Sequence, residues 1–513
     1  MYLDAASFAP GLPCGLVGGV YPATRHSQSK VMLQHSILHA FSIGAALSTR
    51  GAAHYTNGTI SEGCVKACSQ LSTIFGPVLH YPSTDNFTIW DAKQLEVRPA
   101  CRVEPSSAKD VAQILGVVVD NWCRFAVKGG GHSRHPDDSN SVGGVTIDLD
   151  KLNSIEPSVD GSSARRNSSF VGGRVASVGI GGFTTGGGTS PFSNKYGWAL
   201  DNVYEYEVVL ANGTIVNASE SEHPDLYFAL RGGSNNFGIV TTFTIRTFPQ
   251  GPIFSAQVSY GDNQTEAVLD KVYDLYTRPD LVSDLNMGYD LYYTYSTAND
   301  SFVMLGTQRY EQPIQAPPVF QEIDAIPPVS RNVRIGTLAN LASNPPLGRT
   351  RNLFQTISVL PSRPLLSKAL AIFREEVRAI QSVEGLTPNF ICYPLHSNAI
   401  ARMKQRGGNA LGIDEKGPLF IILISTAWAN AEGDGPVGTM TTNVVDRVKA
   451  AAGELGVTHP YIYVGYARAG QDKEVFAGYG EKNLRRLQEV QKSVDPSGVF
   501  TSHGLWRGHM KLL

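Results

Sequence analysis

At 513 residues the chain has the length of about three typical domains, with hydrophobic residues at 42% and charged ones at only 17%, so a lone small module and a disordered chain are both excluded. A net charge of −2 offers no basic field to nucleic acid or anionic lipid, and no apolar run reaches the ~18–20 residues of a membrane-crossing helix. Glycine is the outlier: 52 residues, about a tenth against a usual ~7%. The excess lies in short clusters between residues 129 and 238, where backbone must turn sharply or approach something closely.

In chain order, residues 37–47 (ILHAFSIGAAL) and the small residues 48–53 resemble a secretory h-region and its cleavage zone. Met32 lies just upstream, which makes it the expected start and residues 1–31 an expected gene-boundary artefact. Asn-x-Ser/Thr sequons at Asn57, Asn86, Asn167, Asn212, Asn217, Asn263 and Asn299 read as surface acceptors of an exported glycoprotein. The expected location is therefore the secretory pathway or outside the cell. Cys64, Cys68, Cys101 and Cys123 cluster, Cys14 precedes them and Cys392 is remote. Cys64-x-x-x-Cys68 has no second ligand pair at zinc spacing, so disulfides are expected and no metal.

Ser107 and Asp110 open a predicted helix in capping-box-like spacing, with Val111, Ile114, Leu115 and Val118 on one face. Phe125-Ala126-Val127 reads as a buried strand running into Gly129-Gly130-Gly131-His132-Ser133, and Val145-x-Ile147-x-Leu149 as another. A hairpin is predicted over 207–216, with Asn212-Gly213 favouring a type I′ turn. A helix starting on Pro224 and ending at Leu230 comes next, then a strand from Ile239 to Ile245. Glycine thins after Pro252, and alternating runs such as Leu291 to Tyr295 and Leu419 to Ile424 predict an antiparallel sheet. A last helix carries Leu484, Leu487, Val490 and Val494 on one face. The fold class is α+β. The expected divisions are a targeting or disordered segment over 1–60, a first domain over 61–252, a second over 253–465 and a returning segment over 466–513.

Among chemical signatures, the P-loop, the Gly-x-Ser-x-Gly elbow and His-Glu-x-x-His are absent from the sequence. The run Gly179-Ile180-Gly181-Gly182 departs from the dinucleotide fingerprint, because Thr184 stands at the third glycine position. Two glycine-rich loops beside strands can offer amide concavities to phosphate, and together they suit a long diphosphate ligand. His132 within the first loop is a nucleophile available for covalent attachment. His135 adds a His-x-x-His spacing that lacks the carboxylate or thiol partner a metal would need.

Four motifs now stand in order: the first glycine loop; Val178-Gly179-x-Gly181-Gly182 with Gly186-Gly187-Gly188; Tyr196-Gly197-x-x-x-Asp201-Asn202-Val203; and Ala229-Leu230-Arg231-Gly232-Gly233-x-Asn235-x-x-Gly238-Ile239-Val240. Together they resemble the flavin-binding domain of the vanillyl-alcohol-oxidase and p-cresol-methylhydroxylase superfamily. Tyr479-Gly480-x-x-Asn483, with Asp495-Pro496, is similar to the closing motif of its berberine-bridge-enzyme-like branch, fungal secreted members included. The resemblance implies a two-subdomain FAD-binding domain and a substrate domain whose antiparallel sheet is covered by helices.

It also implies FAD as cofactor, bonded through His132. Gly129, Gly130, Gly131 and Ser133 would hold the pyrophosphate, and Gly186, Gly187, Gly188 and Ser190 the ribityl and ring side. Val178, Gly179, Gly182, Asp201, Asn202, Gly238, Ile239, Val240, Tyr479 and Asn483 complete the implied cofactor residues. Relatives with a second link carry a cysteine where this chain has Val175, Ala176 and Ser177, so a single covalent link is implied. The family's tie from its N-terminal segment to the strand feeding the first glycine loop implies Cys64 or Cys68 paired with Cys123. The implied activity is hydride transfer from a small molecule to FAD, with dioxygen as acceptor, in secondary metabolism. Tyr466 is the implied base, although Gly465 replaces a common asparagine, and Tyr393 and Trp428 are implied pocket wall. A carbohydrate oxidase and a non-catalytic secreted binding protein are the alternatives.

One departure concerns residues 158–170. Family members carry about twenty more residues between the strand near Asp148 and the second glycine loop, the length of a strand plus a helix. The expectation is a sheet edge left unpaired, weak FAD binding by the chain as written, and a transcript that encodes the missing piece.

Overall fold

The computed structural model describes residues 2–4, 58–156, 168–343, 345–414, 416–501 and 503–512. Cys14, the apolar stretch 37–47, Asn57, Asn167 and most of 158–170 lie outside the described residues.

The first sheet has four strands in the order Leu79–His80, Cys101–Val103, Val145–Asp148, Phe125–Lys128. Cys101–Val103 and Phe125–Lys128 both run parallel to Val145–Asp148, and Leu79–His80 is antiparallel to its neighbour. Helices Glu62–Phe75 and Ala108–Asp120 cover it. The second begins as the sequence predicts: Ser107 Oγ accepts from Asp110 N at 3.1 Å, and Val111, Ile114, Leu115 and Val118 are fully buried. The Asp110 carboxylate returns to Ser106 N, at 3.0 Å, rather than to the cap residue itself. Two disulfides pin the first helix. Cys64–Cys123 reaches the chain just before Phe125–Lys128, as the resemblance implied, and Cys68–Cys101 reaches the neighbouring strand.

The second sheet is antiparallel, in the order Ile155–Glu156, Tyr2–Asp4, Ile239–Ile245, Val203–Val209, Ile215–Ser219. Its hairpin corrects the expected type I′ turn. Leu210 pairs with Thr214 across three residues, and only Gly213 is left-handed (φ +78°). That is a type I turn closed by a glycine bulge, because Asn212 keeps a negative φ. Tyr2–Asp4 comes from the segment expected to be targeting or disordered sequence. Its backbone pairs with Thr242–Thr244 on one side and Ile155–Glu156 on the other.

The third sheet has eight antiparallel strands: Ser330–Gly336, Ile253–Tyr260, Ser301–Tyr310, Met287–Ser296, Thr387–Leu395, Leu419–Trp428, Arg351–Val359, Thr458–His459. Strand alternation decides its two faces. Leu291, Tyr293, Phe390, Cys392, Ile422 and Ile424 pack under helices Thr265–Thr277, Arg363–Arg378 and Asp434–Glu454. The opposite face carries Asp290, Phe354 and Tyr393 toward the glycine loops. Helix Glu481–Val494 then returns to the first half of the chain, with Leu487 and Val490 buried and Arg486 paired to Asp225 at 2.7 Å.

Candidate active site

The first glycine loop leaves the carboxyl end of Phe125–Lys128, beside a second strand that is parallel to it, which is where open parallel sheets bind ligands. Beneath it Asp148 is buried between Lys128 (3.0 Å) and Arg102 (2.9 Å). Gly131 is left-handed (φ +66°), and a Cβ there would lie 2.9 Å from Ile89 Cγ1. Gly130 meets the second loop directly: its Cβ would stand 2.2 Å from Gly179 N, and a Cβ on Gly179 would stand 2.1 Å from Gly130 N. The two turns are therefore in backbone contact.

His132 follows. Its ring stacks on Trp90 with centroids 3.8 Å apart, and its buried Nε2 has no hydrogen-bond partner among the described residues. Burial first, and the neighbouring Arg134 guanidinium second, lower its pKa to about 3. The imidazole is therefore neutral at physiological pH and keeps its nucleophilic lone pair. Ser133 donates through Oγ to Asp138, and its carbonyl accepts from Gln94 Nε2 at 3.1 Å.

The second loop runs from Val178 and Gly179 through the helix Ile180–Thr185, which contains Gly182, to Gly186. Gly187 (φ +140°) and Gly188 (φ +86°) are the positions where only glycine fits. Cβ atoms there would meet the Trp198 ring at 2.7 Å and Ala199 Cβ at 2.5 Å. Gly188 N donates to Tyr463 Oη at 3.1 Å. Ser190 N donates to Ser193 Oγ at 2.9 Å, which turns the chain toward the eight-stranded sheet.

An aromatic path joins the loops. Trp90 meets Phe354 (6.0 Å), Phe354 meets Tyr466 (5.9 Å), and Tyr466 meets Tyr463 (4.7 Å), the phenol bonded to Gly188. The structure thus brings His132, the second loop and Tyr466 into one neighbourhood. Arg134 lies over Phe354, 4.3 Å from the ring centroid, and donates to Gly465 O at 3.3 Å, fixing the turn that carries Tyr466.

The remaining candidates hold backbone. The Asp201 carboxylate accepts from Trp198 N (3.0 Å) and Asn409 Nδ2 (2.9 Å), and burial raises its pKa to about 6. Asn202 donates to the carbonyls of Tyr196 and Trp198. Gly238, Ile239 and Val240 lie against Val208 and Val209 in the second sheet. Tyr479 donates to Gly232 O at 3.0 Å and Asn483 to Ala410 O at 3.3 Å, both anchoring the returning segment. Trp428 corrects an expectation: its Nε1 donates to Asp434 and its ring packs with Leu353, Leu386 and Val437 rather than lining a pocket. Tyr393 does line one.

That cavity, about 30 Å³, lies between Thr189, Ser190 and the loop-facing side of the eight-stranded sheet. The sequence reading missed its charged residues. Arg174 reaches Asp290 at 3.6 Å, donates to Tyr466 Oη at 3.3 Å and lies over Tyr393 at 4.9 Å. Arg309 pairs with Asp290 at 2.5 Å. Arg174 does follow Gly172-Gly173, immediately before the second loop, and that position was a usable signal.

The donor set fits FAD: a buried neutral imidazole whose Nε2 has no partner among the described residues, set in a glycine loop whose backbone touches a second one. A second cavity beside the loop measures about 10 Å³, and both fall well below the ~300–1,000 Å³ of an ordinary ligand pocket. Seating a diphosphate between the Gly130 and Gly179 turns requires them to part.

Comparison with known proteins agrees with the fold and with FAD as the ligand. Residues 99–219 match the FAD binding domain family. The chain is 32% identical over 510 residues to the FAD-dependent monooxygenase tpcD of Cochliobolus heterostrophus, covering 90% of this chain and 96% of that one. It is 33% identical over 460 residues to FUP4, an FAD-dependent monooxygenase of Fusarium proliferatum, covering 80% and 85%. Among solved structures, 6-hydroxy-D-nicotine oxidase of Arthrobacter nicotinovorans superposes with a TM-score of 0.69 at 19% identity, over 85% of this chain and 97% of that one. Xylooligosaccharide oxidase of Myceliophthora thermophila superposes at 0.67 and 18% identity, over 88% and 99%. The fold is thus that of a two-part flavin oxidase. The chain belongs to the family of FAD-dependent oxidoreductases that includes these fungal relatives, and is an FAD-dependent enzyme.

Proposed function

We propose that this enzyme oxidises a small secondary metabolite, with dioxygen as the final acceptor, while FAD is bonded to His132 alone. The observation that carries the proposal is the His132 imidazole: buried, neutral, without a partner at Nε2 among the described residues, and set in the first glycine loop. A solved neighbour, the glucooligosaccharide oxidase of Acremonium strictum, is described as carrying a 6-S-cysteinyl, 8α-N1-histidyl FAD. In this chain Val175, Ala176 and Ser177 supply no thiol for a second link. The fungal relatives named as FAD-dependent monooxygenases support a small-molecule substrate.

FAD, when bound, supplies the hydride acceptor. The chain's own residues handle the proton and the orientation. Tyr466 Oη takes the proton of the donor hydroxyl or amine. Burial raises its pKa, and Arg174, donating to the same oxygen, acts in the opposite direction by favouring the phenolate. Gly129, Gly130, Gly131 and Ser133 would hold the diphosphate. Val178, Gly179, Gly182, Gly186, Gly187, Gly188 and Ser190 border the ring side, and Asp201, Asn202, Gly238, Ile239, Val240, Tyr479 and Asn483 keep the surrounding backbone in place. Export is part of the same proposal, supported by the two disulfides and by exposed sequons at Asn86, Asn212, Asn217, Asn263 and Asn299.

The test is anaerobic mixing of the purified protein with a panel of fungal metabolites, followed by air. Bleaching of the flavin band, then its return with peroxide released, is the expected result. A flavin band that no donor bleaches, or that air fails to restore, would count against hydride transfer or against dioxygen respectively.

A further inference from the structure

The cavity beside Tyr466 carries more charge than a neutral substrate needs. Three ionised side chains meet there: the guanidiniums of Arg174 and Arg309 and the carboxylate of Asp290, with side-chain exposures of 15%, 16% and 6%. Burial by itself would raise the Asp290 pKa, but the two arginines outweigh it and hold the carboxyl below its usual range. The set therefore retains one positive charge in a place where water is scarce, an arrangement that favours an incoming anion.

The hydrogen-bond inventory points the same way. Two guanidiniums offer ten N–H groups. Arg309 uses one on Asp290, and Arg174 makes long contacts to Asp290 (3.6 Å), Tyr466 (3.3 Å) and Thr189 Oγ1 (3.5 Å). Two further polar side chains line the cavity without a partner among the described residues. They are Tyr393, through Oη, and His396, through both ring nitrogens, at 3% and 5% exposure. Native proteins leave few buried polar atoms unpaired, and a cluster of them around a cavity marks a place where a ligand completes the bonding.

We infer that this cavity is a recognition subsite for a small organic carboxylate, gripped by Arg174 and Arg309 and completed by Tyr393 and His396. The planar guanidinium fork matches a carboxylate bidentately. His396 is neutral because burial lowers its pKa to about 4, so it offers one N–H donor and one acceptor. The enclosed space of about 30 Å³ gives room for the carboxylate head itself, in place of about two waters. Arg174 touches both the subsite and Tyr466, so the acid group would lie one side chain away from the proposed base. The inference rests on the small-molecule oxidoreductase reading, and it narrows the substrate to molecules that carry a carboxylate near the oxidised position.

Calorimetric titration of the purified full-length protein with benzoate, and separately with benzamide, tests it, alongside Arg309→Gln and Tyr393→Phe. Benzoate is expected to bind at least about tenfold more tightly than benzamide. Arg309→Gln is expected to weaken benzoate by about ten- to hundredfold, as loss of a charged hydrogen-bond partner does. Tyr393→Phe should weaken it several-fold, and it decides the matter together with the wild-type contrast if Arg309→Gln fails to fold. Equal affinity for both probes, no benzoate binding, or unchanged affinity in the folded variants overturns the subsite. These titrations involve no turnover. A protein that binds benzoate but bleaches with no donor keeps the subsite and loses the function reading, and the converse result does the reverse.

Discussion

His396 gives the sharpest energetic test, because one cause accounts for its titration. Burial alone lowers its pKa to about 4, against about 6.5 in an unfolded chain. The unfolded state therefore binds more protons across this window, and stability falls as pH drops from about 7 toward 4. Between pH 7.5 and pH 5.0 the loss from this one group is about 2 kcal/mol. Phenylalanine has a similar shape and no nitrogens, so His396→Phe removes that loss. It also removes two unpartnered nitrogens, each worth up to about 1–3 kcal/mol if left dry, so the variant should be at least as stable as wild type at neutral pH. Cys392, a buried free thiol on the adjoining strand Thr387–Leu395, is the reporter. Its labelling by a disulfide reagent that acts at acid pH, mapped by peptide mass, measures local opening. Comparing wild type with variant at each pH cancels the intrinsic reactivity of the thiol. The wild-type to variant ratio should rise by about thirtyfold from pH 7.5 to pH 5.0, the equivalent of those 2 kcal/mol. An equal ratio at both pH values would refute the idea that burial keeps His396 neutral, and would weaken the carboxylate subsite with it.

Two further outcomes are expected. Replacing Cys64 and Cys123 with serine opens a loop with a sequence separation of 59 and should cost about 4 kcal/mol, while Cys68 with Cys101 (separation 33) should cost slightly less; melting with and without reductant checks both, and unchanged melting would deny these pairings. Tyr466→Phe should leave flavin content and stability nearly unchanged, since its bond to Arg174 is long at 3.3 Å, yet slow anaerobic bleaching by a good donor about 10²–10⁴-fold; an unchanged rate would remove Tyr466 as the base.

Elements fixed by local chemistry were legible in the sequence. Ser107 and the apolar face of Val111, Ile114, Leu115 and Val118 marked a helix, and proline at its first turn marked Pro224–Leu230. The hairpin turn was misread because Asn-Gly suits two turn types, and strand register beyond the dipeptide chooses between them. Trp428 was misplaced because alternation tells that a side chain faces inward, not which interior it enters. Glycine was ambiguous in a different way. The contact of Gly130 with Gly179 shows that small residues can serve the approach of another backbone as well as of a ligand. Arg174, Asp290 and Arg309 come from three distant segments, and nothing local to any of them announces the others. Tyr2–Asp4 pairs in its sheet over three residues, too short a run for alternation to announce.

Covalent cofactor attachment turns on His132. Acid precipitation of the wild-type protein, digestion, and mass analysis of the peptide spanning residues 129–134 test it most directly. Whatever fraction of the protein is loaded, the flavin should remain with the polypeptide and its mass should localise to His132, and His132→Ala should leave the pellet colourless. Flavin released wholly into the supernatant, or flavin mass on any other residue of the wild-type chain, would contradict it.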